Sequence, residues 1–223
     1  MPSVSIHLED SAYFGAVAFS SGNRSSPLAA DANSAQDGVF VVFDNDVARS
    51  NLLGSISLNT EKESLKLLTL KSGVPRRDAA GKFNGGWKYL YSGTGRYKGM
   101  NDLYALDNML YVNVYDRDGD GVSGKCGSGV AGDSYLYQFC LPSGKCDFYS
   151  DATTLPNRVK LGAGILGTGF GQGFKNNANT VGLVVNRDDP KAIDCSLPAN
   201  KNLPQCQLFD NKVSLKQLRW YES

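Results

Sequence analysis

Short apolar stretches, each closed by Gly, Asn, Asp or Ser, recur along the chain and set its rhythm. Tyr13-Phe14-Gly15-Ala16-Val17-Ala18-Phe19, Val39-Phe40-Val41-Val42-Phe43, Leu110-Tyr111-Val112-Asn113-Val114-Tyr115, Tyr135-Leu136-Tyr137-Gln138-Phe139 and Gly182-Leu183-Val184-Val185 are β-branched or aromatic runs of strand length. Turn chemistry follows them, as in Asp44-Asn45-Asp46 and Asn186-Arg187-Asp188-Asp189-Pro190. Helical periodicity is confined to Thr60 to Leu70, where Asn59 or Thr60 can cap and Leu65, Leu67 and Leu68 would face inward. The pattern predicts an all-β fold of short strands with long loops and little helix, in a single domain over residues 1–223. Spacing alone does not choose among sandwich, barrel and propeller.

Composition narrows the function classes. The chain has 223 residues, 41% hydrophobic and 20% charged, which is the make-up of a folded protein with a sizeable core and not of a disordered one. Basic and acidic residues nearly balance at a formal charge of +1, and no basic block is present to follow a phosphate backbone, so nucleic acid is excluded as a partner. No run approaches a transmembrane helix in length. The start, Met1-Pro2-Ser3-Val4-Ser5-Ile6-His7-Leu8-Glu9-Asp10, lacks both the basic and the apolar region of a signal peptide, so an exported protein with this start is one whose leader is gone.

Five cysteines fall in the second half. Cys140-Leu141-Pro142-Ser143-Gly144-Lys145-Cys146 holds a Pro-Ser-Gly turn that brings its two ends together, and Cys195 and Cys206 flank an irregular loop from Pro198 to Pro204. Two short-loop disulfides are expected, leaving Cys126 to pair outside the chain or within a different arrangement of the first three. Zinc is the competing reading, but there is no C-x-x-C pair, and the single histidine, His7, is far off in sequence.

The candidate chemistry lies in Asp116-Arg117-Asp118-Gly119-Asp120-Gly121, directly after the strand-like run from Met109 to Tyr115. Acids at alternate positions one, three and five converge on a hard cation, and glycine at six makes the turn that presents the carbonyl at seven, here Val122. Asp116, Asp118, Asp120 and Val122 are therefore candidate calcium ligands, and calcium points to an extracellular protein. The loop departs from the EF-hand, because positions nine and twelve are Gly124 and Gly127. Remaining ligands would come from water, backbone or a later acid, of which Asp133 is the nearest. The alternative is an Asp/Gly hairpin turn whose carboxylates cap backbone amides and whose glycines supply positive φ.

Other motifs carry less. Gly162-Ala163-Gly164-Ile165-Leu166-Gly167 satisfies G-x-G-x-x-G, but Thr168-Gly169-Phe170-Gly171-Gln172-Gly173 continues with alternating glycines that cannot sustain the helix a dinucleotide site needs, so a glycine-rich strand or turn is expected. His7, in a start expected to fray into solvent, is the sole imidazole available to a nucleophilic triad. The acidic pairs sit in turns, where capping accounts for them. No enzyme signature emerges.

Three stretches together resemble the β-propeller region of the PilC/PilY family, the tip-associated adhesins of type IV pili. Phe19-Ser20-Ser21-Gly22-Asn23-Arg24-Ser25-Ser26-Pro27-Leu28 followed by Asp37-Gly38-Val39-Phe40-Val41-Val42-Phe43-Asp44-Asn45-Asp46-Val47 is similar to the family's strand, S-G-[ND]-R turn, Pro-Leu pair and second strand. Gly85-Gly86-Trp87, Met109-Leu110-Tyr111, Cys126 and Gly132-Asp133-Ser134-Tyr135-Leu136-Tyr137 resemble one blade, and Val213 to Trp220 the closing strand. Phe139 to Cys146 favours the PilC branch. The resemblance implies a partial β-propeller of antiparallel strands from the C-terminal part of a larger exported protein at the pilus tip or outer-membrane surface. It also implies pilin or pilus-tip proteins and a host-cell receptor as partners, and a calcium loop that influences pilus extension and retraction. Asp116, Asp118 and Asp120 match that loop's first three acids, while its last falls on Gly124. Rival expectations are a quinoprotein-type propeller enzyme and a purely structural extracellular β-module. Gly22, Asn23 and Arg24 are expected to fix a blade turn, and Trp87 to pack in a core.

Overall fold

Period-two alternation of apolar residues produces three antiparallel sheets in the computed structural model, which describes residues 1–29, 36–45, 66–122, 130–146, 156–175, 178–185, 197–200 and 213–214. The first sheet joins β1 (Ser3–Glu9), β2 (Ala12–Ser20), β3 (Gly38–Asp44), β4 (Leu68–Thr69) and β5 (Gly86–Leu90) in the order β1-β2-β3-β5-β4, with only β4 running parallel to its neighbour. The second is a meander of β6 (Tyr97–Leu106), β7 (Met109–Asp116), β8 (Asp133–Cys140) and β9 (Asn157–Ala163) in chain order. The third pairs β10 (Thr168–Lys175), β11 (Ala178–Val185) and β12 (Val213–Ser214). Helix among the described residues is one 3₁₀ turn, Pro198–Asn200. The all-β class read from the sequence is the class observed.

Two tight hairpins set the registers. Asp10-Ser11 joins β1 to β2 and Asp107-Asn108 joins β6 to β7, with all four residues at φ between 49° and 60°. That double left-handed geometry matches the right-handed twist of the flanking strands, and short polar side chains tolerate it best. Every strand-length run named above lies inside a strand: β2, β3, β7, β8 and β11. The glycine-rich Thr168 to Gly173 segment opens β10 and forms no helix.

Two readings are corrected. Of the helix expected over Thr60 to Leu70, residues 60–65 lie outside the described residues, and the described end is not helical: Leu68 lies in β4, pairs with Trp87 and is 38% exposed. Register with β5 outweighs the leucine spacing. His7, expected in a frayed and solvent-exposed start, is 7% exposed in β1, opposite Phe14. Seven ladder pairs hold β1 to β2 and keep that start from fraying.

The first two sheets pack face to face. Phe14, Val39, Val41, Phe43 and Trp87 from one meet Leu110, Val112, Val114, Tyr137 and Phe139 from the other in a continuous core. Aromatic rings dominate its centre: Trp87 to Phe139 at 5.3 Å, Tyr89 to Phe139 at 5.5 Å, and Tyr91 edge-on to Tyr137 at 5.9 Å. Burial pushes the Tyr137 hydroxyl up to about 12, so it stays protonated at neutral pH. The opposite face of the second sheet holds a further cluster of Met109, Tyr111, Leu136, Val159 and Leu161. There Asn113 donates from Nδ2 to Thr168 Oγ1 at 3.0 Å, placing the start of β10 on that face.

Trp87 anchors the joint. Its ring is fully buried and its Nε1 donates to the Pro142 carbonyl at 2.7 Å, which fixes the turn closed by the Cys140–Cys146 disulfide, Cα–Cα 5.0 Å. The glycine before it is obligatory, because Gly86 has φ +121° and a Cβ there would run into the Val41 carbonyl oxygen. Cys126, Cys195 and Cys206 lie outside the described residues. Trp87→Ala is expected to cost about 3–5 kcal/mol of unfolding free energy, read from urea denaturation; a loss under about 1 kcal/mol would show that the two sheets do not depend on this ring.

Candidate functional site

The aspartate loop leaves the end of β7 and returns into β8. Ladder pairing sets Asp116 directly opposite Asp133, and both carboxylates are buried, at 1% and 2% exposure. Two buried anions facing each other across adjacent strands repel, so their environment must supply cations. The neighbouring strands do so on either side. Arg96, just before β6, grips Asp116 with Nε to Oδ1 and Nη2 to Oδ2, both 2.8 Å, and Lys160 on β9 places Nζ 2.9 Å from Asp133 Oδ2. The second sheet is thus crossed at this level by a row of charges, plus, minus, minus, plus, one contributed beside each of its strands in order.

The fields are mutually consistent. The two hydrogen bonds it donates to Asp116 are the largest cause holding the Arg96 guanidinium above its ordinary value. Tyr115 and Tyr135 are pushed up first by burial and then by the charges of Asp116 and Asp133, so both phenols remain neutral beside the carboxylates. Tyr115 donates to the Ala131 carbonyl at 2.9 Å and ties the two ends of the loop together.

Within the loop, Asp118 N–H donates to Asp116 Oδ1 at 3.1 Å and Asp120 N–H to Asp133 Oδ2 at 3.0 Å. Gly121 has φ +59°, and a Cβ there would strike the Val130 carbonyl oxygen. These are features of the hairpin-turn alternative. Val122 exchanges backbone hydrogen bonds with Val130, both 2.9 Å, so its carbonyl is engaged in the ladder. Asp118 is half exposed and pairs at 3.2 Å with adjacent Arg117. Such a surface pair stabilises little.

As a cation site the donor chemistry is suitable, since Asp116, Asp118, Asp120 and Asp133 offer hard oxygens, and Asp133 Oδ1 is buried with no hydrogen-bond partner. Those four residues would hold calcium. Among the described residues, no group of three or more His, Cys, Asp or Glu is already gathered around one metal position. Asp133, read from the sequence as the nearest supplementary acid, is the residue the fold brings to Asp116. Arg96 and Lys160 were not legible as members of the cluster, because they come from strands on either side of the loop's own hairpin.

The motif residues act as ties. Asn23 Oδ1 accepts from Ser26 N–H at 3.1 Å, Arg24 Nε donates to the Gly99 carbonyl at 3.3 Å, and Gly99 N–H donates to the Ser21 carbonyl at 2.9 Å. The Ser21-Gly22-Asn23-Arg24 turn after β2 is thereby stitched to β6 of the next sheet. Lys98, fully buried, donates from Nζ to the carbonyls of Ser26 and Ala29 at 3.1 and 2.7 Å. Among the described residues no helix is long and apolar enough to cross a membrane. Compared with protein-family models, curated proteins and solved structures, the chain matches none.

Arg96→Gln leaves Asp116 buried without its cation and is expected to destabilise the chain by on the order of 2 kcal/mol, the half-exposed guanidinium keeping the loss below that of a fully buried pair. Adding Asp116→Asn should recover at least half of that loss. A urea-denaturation cycle measures the coupling, and strictly additive effects would contradict the pairing.

Proposed function

We propose that the chain is part of a type IV pilus tip-associated adhesin and biogenesis factor of the PilC/PilY kind, exported to the cell surface. It works by protein surface recognition of pilin or pilus-tip proteins and of a host-cell receptor, and it catalyses no reaction. The observation that carries the reading is the face-to-face stacking of successive antiparallel sheets, joined by the S-G-N-R turn and the Gly-Trp pair that mark the resemblance. Mainly antiparallel sheets stacked in chain order are what propeller blades look like in part, and Asn113 with Thr168 continues the stack toward the third sheet. The outer face of the first sheet exposes Val4, Ile6, Leu8 and Tyr13, an apolar surface of the sort one blade presents to the next. The Cys140–Cys146 disulfide fits an oxidising, extracytoplasmic setting.

Calcium belongs to the same proposal. When bound, it supplies fixed positive charge at the aspartate loop. The chain's part is to hold Asp116 and Asp133 side by side and to make Arg96 and Lys160 competitors for the same oxygens. Occupancy therefore exchanges an internal ion pair for an external one and alters how the loop is tied to the sheet. Because the carboxylates are already neutralised, affinity is weaker than in a loop of uncompensated acids.

Calorimetric titration of the oxidised chain with calcium should give saturable binding that Asp118→Ala abolishes and Arg96→Gln strengthens. In parallel, immobilised chain should bind sheared type IV pili and respond to chelation. A folded sample that takes no calcium would reduce the loop to a turn. Failure to bind pili with or without calcium would sink the adhesin reading, as would a quinone absorbance in the purified protein.

A further inference from the structure

At the end of the β7–β8 pair away from the aspartate loop, the structure has a cavity of about 720 Å³. β1 from Ile6 to Glu9 forms one side, and the Ser72 to Arg76 segment with the Leu141 to Lys145 disulfide turn forms the others. Successive side chains of a strand point to opposite faces, so four consecutive residues of β1 reach one cavity only through the edge of the strand. That edge is unpaired. β1 is the outermost strand of its sheet, and β2 is its ladder partner.

The hairpin decides which groups lie along the edge. Asp10 and Ser11 are the central residues of the turn, so Glu9 and Ala12 are its outer residues and form a hydrogen-bonded pair. In an antiparallel ladder such pairs alternate with open ones. His7↔Phe14 and Ser5↔Ala16 are therefore bonded, while Leu8↔Tyr13 and Ile6↔Gly15 are open. Residues of open pairs turn both N–H and C=O away from the partner strand, and for Ile6 and Leu8 that direction is the cavity. Among the described residues, no backbone group answers them. Two donors and two acceptors so placed are what an incoming antiparallel strand bonds to.

The side chains specify the strand further. Ile6 and Leu8 point to the outer face, 54% and 60% exposed, and the residues paired with them in an added strand would lie on that face and cover them if apolar. Residues between those would face inward, where Glu9 Oε2 is buried with no hydrogen-bond partner and accepts from a donor. No net charge is called for. Arg76 donates to Asn45 Oδ1 at 2.7 Å and lies 4.6 Å from the Phe14 ring centroid. Burial, the largest cause, and the charge of Arg77 lower its pKa, and the charges of Glu9 and Asp10 raise it, so cation and anions already face each other here. Lys145 is engaged within the chain. An edge set between two walls also admits one extended segment and shuts out the edge of another sheet, which would bring its own neighbouring strands. We propose that the cavity binds an extended, uncharged peptide segment that adds to β1 as an antiparallel strand, apolar beside Ile6 and Leu8 and hydroxyl-bearing between them. Neither the pilus nor calcium enters this assignment, so its failure leaves both where they stand.

The backbone itself supplies the test. Acetyl-Val-Thr-Val-Thr-Val-amide titrated into the oxidised chain should shift the Ile6 and Leu8 amide signals and the His7 imidazole saturably, and should slow hydrogen exchange at both amides. Methylating the valine nitrogens, which face β1 in this register, should abolish binding. Methylating the threonine nitrogens, which face away, should leave it within about twofold. Leu8→Pro removes one edge donor at a position where an edge strand tolerates proline, and should weaken binding at least about tenfold. Should that variant fail to fold by circular dichroism, the two methylated peptides decide. Absence of saturation, or equal binding of the two methylated peptides, would overturn the proposal. So would slow exchange at Ile6 and Leu8 before any peptide is added, because the edge would then be taken by the chain itself or by a second copy.

Discussion

Burial of the β7–β8 pair on both faces constrains everything built around it. Each of the eight residues of β7 is buried, and β8 leaves only Tyr135 partly open. A strand of an antiparallel sheet usually keeps one face in water, where its polar side chains cost nothing. Here neither face offers water, so each polar group on the pair must find its partner inside the protein. Asn113 finds Thr168, Ser134 donates to the Gly164 carbonyl, Asp116 takes Arg96 and Asp133 takes Lys160. Lys98, on the strand beside β7, is answered by backbone carbonyls of the β2–β3 connection. The polar contacts that join one sheet to the next follow from covering the middle one.

This explains which parts of the molecule were legible in the sequence. Strands whose apolar residues are continuous or aromatic, such as β3, β7 and β8, announce themselves because burial on one or both faces leaves no room for polar interruption. β6 does not, since Tyr97–Leu106 mixes Lys98, Gly99, Asn101 and Asp102 into its run, and its pairing with β7 shifts register between Met100 and Tyr104. A bulge breaks the period on which the reading depends. Leu68 illustrates the converse. Leucines near it suggest a helical face, yet a two-residue parallel pairing with β5 decides its conformation, and no local pattern encodes a partner that lies nineteen residues on.

The aspartate loop was legible as chemistry but not as geometry. Alternate acids and a following glycine are the same signal whether a cation is brought from outside or from Arg96 and Lys160. The difference lies in which strands flank the hairpin, and that is a property of the sheet order. The glycine at the sixth position is required either way, because the chain must turn with positive φ to reach Val130. Cross-strand register contributed the decisive fact that Asp133 faces Asp116. Once two buried carboxylates are adjacent, compensation by cations is compulsory, and only the identity of the cation is left open to competition.

β1 breaks the rule that the rest of the fold obeys. Its apolar residues Val4, Ile6 and Leu8 point outward and are more than half exposed, while Ser5, His7 and Glu9 occupy the inward positions. A strand placed only for stability would have the opposite phase, and shifting its register by one residue would bury the three apolar side chains. The hairpin at Asp10-Ser11 prevents that shift. The inverted phase is what sets His7 against Phe14, Glu9 beside Arg76, and a polar wall along the cavity. Consistency across propensity, pattern and packing is what makes a sequence specify a fold, and natural chains depart from it where something other than stability is being served. The aspartate loop pairs its charges and leaves Asp133 Oδ1 alone without a hydrogen bond, whereas β1 gives up the burial of three apolar side chains and leaves Glu9 Oε2 in the same state.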